Sequence, residues 1–345
     1  MDALAPARQQ SAETEPRRNV LAAAPALSAA GYPFLLQAFH LLVGPPGALP
    51  SPAAIVGAAL VLSLAFAVPA LGIALARGAT SPPSWRRLAY ASVLSPTLYV
   101  FMGVVQSMAS SPVPDELVWC ALWSGAALWA WFAPHDPPVK AVRTDMAGWR
   151  IGHGLTAAIL LSYVLFHIGN HLAGLIGPEA HAAVMAMGRK IYRASVVEPL
   201  LVALMVFQVG SGLHLAWRWS AAAQDSWRTF QVASGAYLSV FVLGHMNSVF
   251  LYARTYLEIP TGWAFATGAP TGLIHDAWNI RLLPHYALGV FFVLAHLACG
   301  VRVVAMAHGV DRRTADRVWT AGALASATVA SAIIAGMCGV RIAAP

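Results

Sequence analysis

Long apolar runs alternate with short polar breaks along almost the whole chain. A spanning helix needs roughly 20 apolar residues, so the pattern predicts nine spans, at about 20–43, 53–76, 86–109, 115–133, 150–175, 194–217, 228–253, 281–307 and 318–340. Pro/Gly-rich breaks such as Val43-Gly44-Pro45-Pro46-Gly47 and Pro134-His135-Asp136-Pro137-Pro138 separate several of them. The longest polar connection, about 255–280, holds Pro260, Gly262, Gly268, Pro270 and Gly272 and is long enough to fold over one face of a bundle. Residues 1–18 read as a polar tail with Arg8, Arg17 and Arg18 ahead of a retained first span. A secretory signal would set its charged start directly against an apolar core and a cleavage site. A cleaved transit peptide is the alternative.

Composition narrows the class. Hydrophobic residues make up 58%, charged residues 10%, and mean hydropathy is +0.64, whereas a soluble domain carries about a quarter charged residues. Soluble, disordered, collagenous and disulfide-framework classes are excluded. The predicted fold class is an all-α polytopic transmembrane bundle whose first partner is the lipid bilayer. The net charge of +7 sits in short loops and is no nucleic-acid signal. Of the 21 Lys and Arg, 14 fall with the N-terminal tail and the even-numbered loops and six on the opposite side. That bias predicts an N-terminus inside and a C-terminus outside. A bacterial cytoplasmic membrane is the expected location, with a mitochondrial membrane as the alternative. Cys120, Cys299 and Cys338 form no CxxC or CxxCH motif, so neither a zinc cage nor covalent c-type haem is indicated.

The chain also resembles itself. Ser84-Trp85-Arg86, Ala91-Ser92 and Tyr99-Val100-Phe101 correspond at one constant offset to Ser226-Trp227-Arg228, Ala233-Ser234 and Phe241-Val242-Leu243, and Phe39-His40 resembles Phe166-His167. This predicts a degenerate tandem four-helix repeat with a ninth span added. Residues 19–148 would form a first copy without haem, and 149–345 a five-helix haem-binding domain.

Histidines carry the chemistry, because ionisable side chains in hydrocarbon are costly and seek a partner. Span five holds His153, His167 and His171; His214, His245, His285 and His296 follow in spans six to eight, and His40 alone lies in a span of the first half. His167 lies 17 residues beyond Arg150 and His245 lies 17 beyond Arg228. Both therefore sit ~25 Å from the inner boundary of parallel spans. Two level imidazoles without accompanying carboxylates predict a bis-histidine b-type haem site. Nearer the inner face, the residue on span six level with His296 is Gln208, and His153 and His214 are off-level partners. One haem is expected and a second is the lesser alternative. A histidine-lined path in a repeat-built transporter is a competing reading.

The segment from Trp149 to Arg302 resembles the haem-binding cytochrome b membrane anchor of the succinate dehydrogenase/fumarate reductase superfamily, in its five-helix single-chain form. The family's first helix opens with a basic residue and an early histidine and carries an axial histidine late, matched by Arg150, His153 and His167 in Phe166-His167-Ile168-Gly169-Asn170-His171. Its second helix enters through an Arg/Glu-containing stretch and carries His-x-x-x-Gly. Here Tyr192-Arg193 and Glu198-Pro199-Leu200-Leu201 precede Gln208-Val209-Gly210-Ser211-Gly212, which keeps the glycine but not the histidine. The third helix's axial histidine is matched by His245, and the fourth's His-x-x-x-Gly by His296-Leu297-Ala298-Cys299-Gly300-Val301-Arg302.

The resemblance implies that His167 and His245 ligate the outer haem iron and that the inner haem is lost or weakened at Gln208. It implies electron transfer with a quinone, iron–sulfur and flavoprotein subunits as partners, and no catalytic residue in this chain. Cofactor-binding candidates are His167, His245, His296, Gln208, His171, Arg193 and Arg302. Arg193, with Arg189, Lys190 and Arg254, would pair with propionates of the outer haem. Arg302 would snorkel to the inner surface. The four N-terminal spans depart from the anchor pattern. A fungal mitochondrial outer-membrane family of stand-alone haem-binding bundles is also similar around Tyr192-Arg193 and Glu198-Pro199-Leu200, which leaves lipid or haem homeostasis as an alternative function.

Overall fold

The computed structural model describes residues 20–78, 81–132 and 146–342. The polar tail, most of the connection around Pro134–Pro138, Lys140 and Arg143 lie outside these residues. The described chain is helical, with no strand. In order the helices are α1 (Val20–Val43), α2 (Pro52–Ala76), α3 (Pro83–Val93), α4 (Ser95–Met108), α5 (Asp115–Phe132), α6 (Ala147–Leu172), α7 (Pro178–Tyr192), α8 (Val197–Trp219), α9 (Ser226–Met246), α10 (Trp263–Thr267), α11 (Leu282–Ala307) and α12 (Arg312–Met337). Local signals set several starts. The Ser51, Asp225 and Asp311 side chains accept the Ala54, Arg228 and Thr314 amides at the N-termini of α2, α9 and α12. Capping by Asp311 begins α12 at Arg312, earlier than its apolar run suggests.

Among the described residues, seven helices are long and apolar enough to cross a membrane: α1, α2, α6, α8, α9, α11 and α12, the α6 and α11 spans being extended by short 3-10 turns and the α9 span by a π-helix over Asn247–Tyr256. The expected third span is a bent pair. α3 and α4 meet at 69°, because Pro96 supplies no amide to continue the ladder and crowds the preceding turn. The carbonyl of Ser92 freed at the break accepts the Ser95 hydroxyl at 2.7 Å. α5 opens with Asp115 and Glu116 turned into protein: Asp115 pairs with Arg281 at 2.5 Å, and the Tyr99 hydroxyl donates to Glu116 at 3.0 Å. Lipid-suited faces are plain on α2, where Ile55, Val56, Leu60 and Leu64 are all more than half exposed.

The two halves share one interior. Tyr32, Tyr99, Trp119 and Trp123 form the aromatic core of the first half, with the Trp119 indole donating to the Ala29 carbonyl at 2.7 Å. Ala89, Tyr90 and Val93 of α3 pack with Val232, Ala233 and Tyr237 of α9 and Phe292 of α11. The 255–280 connection folds across one end of the bundle, where Trp263 meets His181 and Asn279 donates to the carbonyls of Gly268 and Gly272. This end is called the loop end below, and the opposite one the far end.

Candidate functional site

α6 carries Tyr163, His167 and His171 at four-residue spacing, one above another on a single face. Tyr163 stacks on His167, with ring centres 5.7 Å apart and 15° between planes, and His171 meets His167 edge-on at 4.8 Å. α9 repeats the device: Phe241 stacks under His245 at 6.0 Å and 10°. These two faces meet inside the bundle, so that the His167 and His245 rings lie 5.9 Å apart, their planes at 69°. Neither imidazole makes a hydrogen bond among the described residues. Close packing positions their neighbours. A Cβ on Gly188 of α7 would come within 2.2 Å of the Phe166 ring, and one on Gly289 of α11 within 2.2 Å of the Phe241 ring.

The loop-end cluster extends in two directions. His171 lies 5.3 Å from His181 on α7, whose Nε2 accepts from the Asn170 amide at 3.2 Å. Burial and the neighbouring Arg189 guanidinium hold His181 below the usual imidazole range. The Nδ1 atoms of His171, His181 and His285 are buried without a partner among the described residues. In the other direction, Phe241 touches His285 at 4.7 Å and His285 touches Tyr286 at 5.1 Å. Tyr286 lines a cavity of about 690 Å³ between the halves, with Tyr252, Asp276 and Trp278 among its walls.

At the far end, His153 of α6 lies 6.5 Å from His296 of α11, with planes at 81°. Depth counting along the sequence set His153 off-level from His296, yet the two rings meet. Ser211 on α8 lies 2.8 Å from His153 Nδ1, and Ser234 on α9 lies 2.9 Å from His296 Nδ1. Gln208 is here too, its amide nitrogen 3.0 Å from His153 Nε2. Among the described residues, no three His, Cys, Asp or Glu side chains converge as a bare metal ion would require. Among the described residues, neither pair has a third side chain of these types placed to share a bare ion with it.

The remaining candidates have partners of their own. Arg193 donates to the Thr261 hydroxyl at 3.1 Å beside Arg189, which bonds the same residue, while Arg254 pairs with Glu198 at 2.7 Å. Arg302 is buried, ion-paired with Asp316 at 2.7 Å and set over the Trp227 ring, instead of reaching outward. His214 packs on Trp149 at 4.8 Å, away from both pairs' contacts. Sequence reasoning missed His181, which it left in a connection, and the serines beside His153 and His296. The signal for the serines was present as two Ser-Gly dipeptides, Ser211-Gly212 and Ser234-Gly235. No family, curated protein or solved structure among those compared matches this chain.

Proposed function

We propose that this chain is an integral membrane b-type cytochrome in which His167 and His245 hold one haem iron and pass electrons to or from a quinone. The observation that carries this reading is the 5.9 Å separation of their ring centres in the bundle interior. Two imidazoles on opposite sides of one metal, each nitrogen about 2 Å from it, put their ring centres about 6 Å apart. Among the described residues their nitrogens have no competing hydrogen bonds and no third His, Cys, Asp or Glu side chain is placed to share a bare ion, which favours a macrocyclic cofactor over a bare metal. The resemblance over Trp149–Arg302 points the same way.

When bound, the haem held by His167 and His245 would supply one-electron chemistry. The chain's own part is to position and shield. Tyr163 and Phe241 set the imidazole planes, and Gly188 and Gly289 let Phe166 and Phe241 seat closely. Arg189 and Arg193 gather positive charge near Tyr163 for the propionates. The cavity beside Tyr286 suits the quinone, because the Tyr286, His285, Phe241 and His245 rings run from it to the site in unbroken contact. The reading extends to nine spans in a degenerate repeat, with the bent α3–α4 pair as one span and the continuous α5 as another, and to an N-terminus inside. Flavoprotein and iron–sulfur subunits are the partner class the resemblance implies.

The test is optical. Purified protein is expected to show a low-spin b-type reduced-minus-oxidised spectrum whose loop-end component disappears in His167→Ala and in His245→Ala. A folded, colourless wild-type protein sinks the proposal. Gentle solubilisation then asks whether flavin and iron–sulfur subunits travel with the chain.

A further inference from the structure

α12 has a face that the haem reading leaves unused. Its bundle side buries Ala315, Ser326, Ala330 and Ile333 as it packs along α11. On the opposite side Arg313, Arg317, Thr320, Leu324 and Thr328 follow one another at helical spacing, and all are exposed. An open depression of about 760 Å³ lies over the far-end half of this stripe, with Arg312, Arg313, Arg317 and Leu324 in its walls. We infer that it seats an anionic phospholipid, whose phosphate is held by Arg313 and Arg317 and whose acyl chain lies along Ala321, Leu324 and Thr328. This goes beyond the cytochrome reading and needs only that the helices span a bilayer.

Charge singles the stripe out. Several other far-end arginines are engaged inside the protein. Arg86 donates to the carbonyls of Gly78, Ser81 and Ala221, Arg87 stands over the Trp217 ring, and Arg302 pairs with Asp316. The side chains of Arg313 and Arg317 have no partner among the described residues. Asp316, the one carboxylate among the described residues of the wall, is taken by Arg302 at 2.7 Å, with Arg312 a looser second partner at 3.8 Å. Two guanidiniums one turn apart on one face are left uncompensated. Phosphate suits them, because a planar guanidinium donates to two of its oxygens at once. The proposed orientation puts the far end on the inner face, where anionic lipids gather at basic clusters.

The residues beyond the arginines suit a lipid chain. On α2, Ile55, Val56, Leu60 and Leu64 stand out into fluid lipid. α12 instead presents Thr320, Ala321 and Thr328 around Leu324, which is 66% exposed. The two threonine hydroxyls donate back to the carbonyls of Asp316 and Leu324 at 2.9 and 3.1 Å, so neither needs a partner from the bilayer. Small side chains beside one leucine let an acyl chain lie close to the helix. Small residues also bring helices together in membranes, which makes a second copy of the chain the rival occupant. Copies in one membrane share an orientation, so a twofold contact through this stripe would set Arg313 and Arg317 against the same pair of the other copy. Like charges so placed repel. An anionic lipid neutralises the charge that a second copy would double.

The experiment is native mass spectrometry of the full-length protein in detergent, titrated with dioleoyl phosphatidylglycerol, dioleoyl phosphatidylcholine or inorganic phosphate. Wild type is expected to retain phosphatidylglycerol in preference to phosphatidylcholine, which has the same chains and phosphate but no net charge. Inorganic phosphate at equal concentration is expected to leave the bound lipid in place. One surface arginine contributes roughly a fivefold factor, so Arg313→Gln together with Arg317→Gln is expected to weaken phosphatidylglycerol binding roughly 25-fold. Arg218→Gln removes an exposed far-end arginine on α8 and is expected to leave binding unchanged. All three substitutions are on the surface, and an unchanged melting temperature confirms folding. Equal binding of the two lipids, or equal weakening by Arg218→Gln, reduces the stripe to general surface charge and overturns the site. Displacement by inorganic phosphate overturns the lipid as occupant. A wild-type dimer that Leu324→Trp breaks, without lipid preference, gives the stripe to a second copy and overturns it too. Haem enters none of these measurements, so the cytochrome reading stands or falls separately.

Discussion

The two imidazole pairs are built by different means. At the loop end, His167 and His245 make no hydrogen bonds among the described residues and are set by rings: Tyr163 and Phe241 stack on them, and Phe166 and Phe241 are seated against Gly188 and Gly289. At the far end, His153 and His296 are set by serine hydroxyls. Ring stacking holds an imidazole by contact alone, whereas a hydroxyl, which can donate or accept, ties down one of its nitrogens. Among the described residues the loop-end pair therefore keeps nitrogens to offer a ligand, and the far-end pair is bonded into the helices around it.

The sharpest way to break this comparison is steric. Gly289→Ala puts a methyl group into the Phe241 ring. Overpacking of this kind costs about 1–3 kcal/mol. The variant is expected to unfold at lower temperature and, on the proposed cytochrome reading, to retain less haem, while the His153–His296 contact is undisturbed. Unchanged stability and haem content would show that Gly289 does not seat Phe241 for the loop-end pair.

Ser234→Ala is the counterpart at the far end. Removing such a hydrogen bond costs about 0.5–1.5 kcal/mol of stability. The melting temperature is expected to fall, with the loop-end spectrum intact. An unchanged melting temperature would mean that Ser234 merely fills space.

Much of this was legible from residues alone. Apolar runs mark the spanning helices because length and hydropathy are local properties. The equal 17-residue offsets of His167 from Arg150 and His245 from Arg228 anticipated two rings that lie 5.9 Å apart. The same counting failed for His153 and His296, because residues counted from a helix end measure depth only for straight, untilted helices. The break between α3 and α4 was written in Ser95-Pro96, but a continuous apolar run masks a proline. Arg302 was expected at the inner surface, yet its partner Asp316 lies across the turn between α11 and α12. Contacts set by how helices lean on one another have no sequence period to reveal them.

A smaller effect sharpens the loop-end half. Tyr163→Leu removes the ring stacked on His167 and keeps most of its apolar bulk. Aromatic pairs are worth about 0.5–1.5 kcal/mol beyond the area they bury. The variant is expected to retain its haem, with a low-spin signal altered in shape because the imidazole plane is less restrained. An unaltered signal would assign the orientation of His167 to its helix alone.

The smallest expected effect is a slope. The loop-end cluster continues from His167 through His171 to His181, whereas among the described residues the far-end pair joins no third imidazole in ring contact. His181 is held below the usual imidazole range by burial and then by Arg189. The unfolded chain therefore takes up the proton more readily than the folded one, and stability rises with pH wherever that holds. The contribution of His181 is present in full above its unfolded value, about 6.5, and is lost as pH falls from there through the lower folded value. His181→Gln removes the titrating group and is expected to flatten this acid limb of the melting temperature, leaving values above neutral pH little changed. The difference between the two proteins isolates this residue from the other histidines, which titrate in both. Parallel acid limbs would show that His181 binds protons equally folded and unfolded, and that the cluster's extension beyond His171 is electrostatically indifferent.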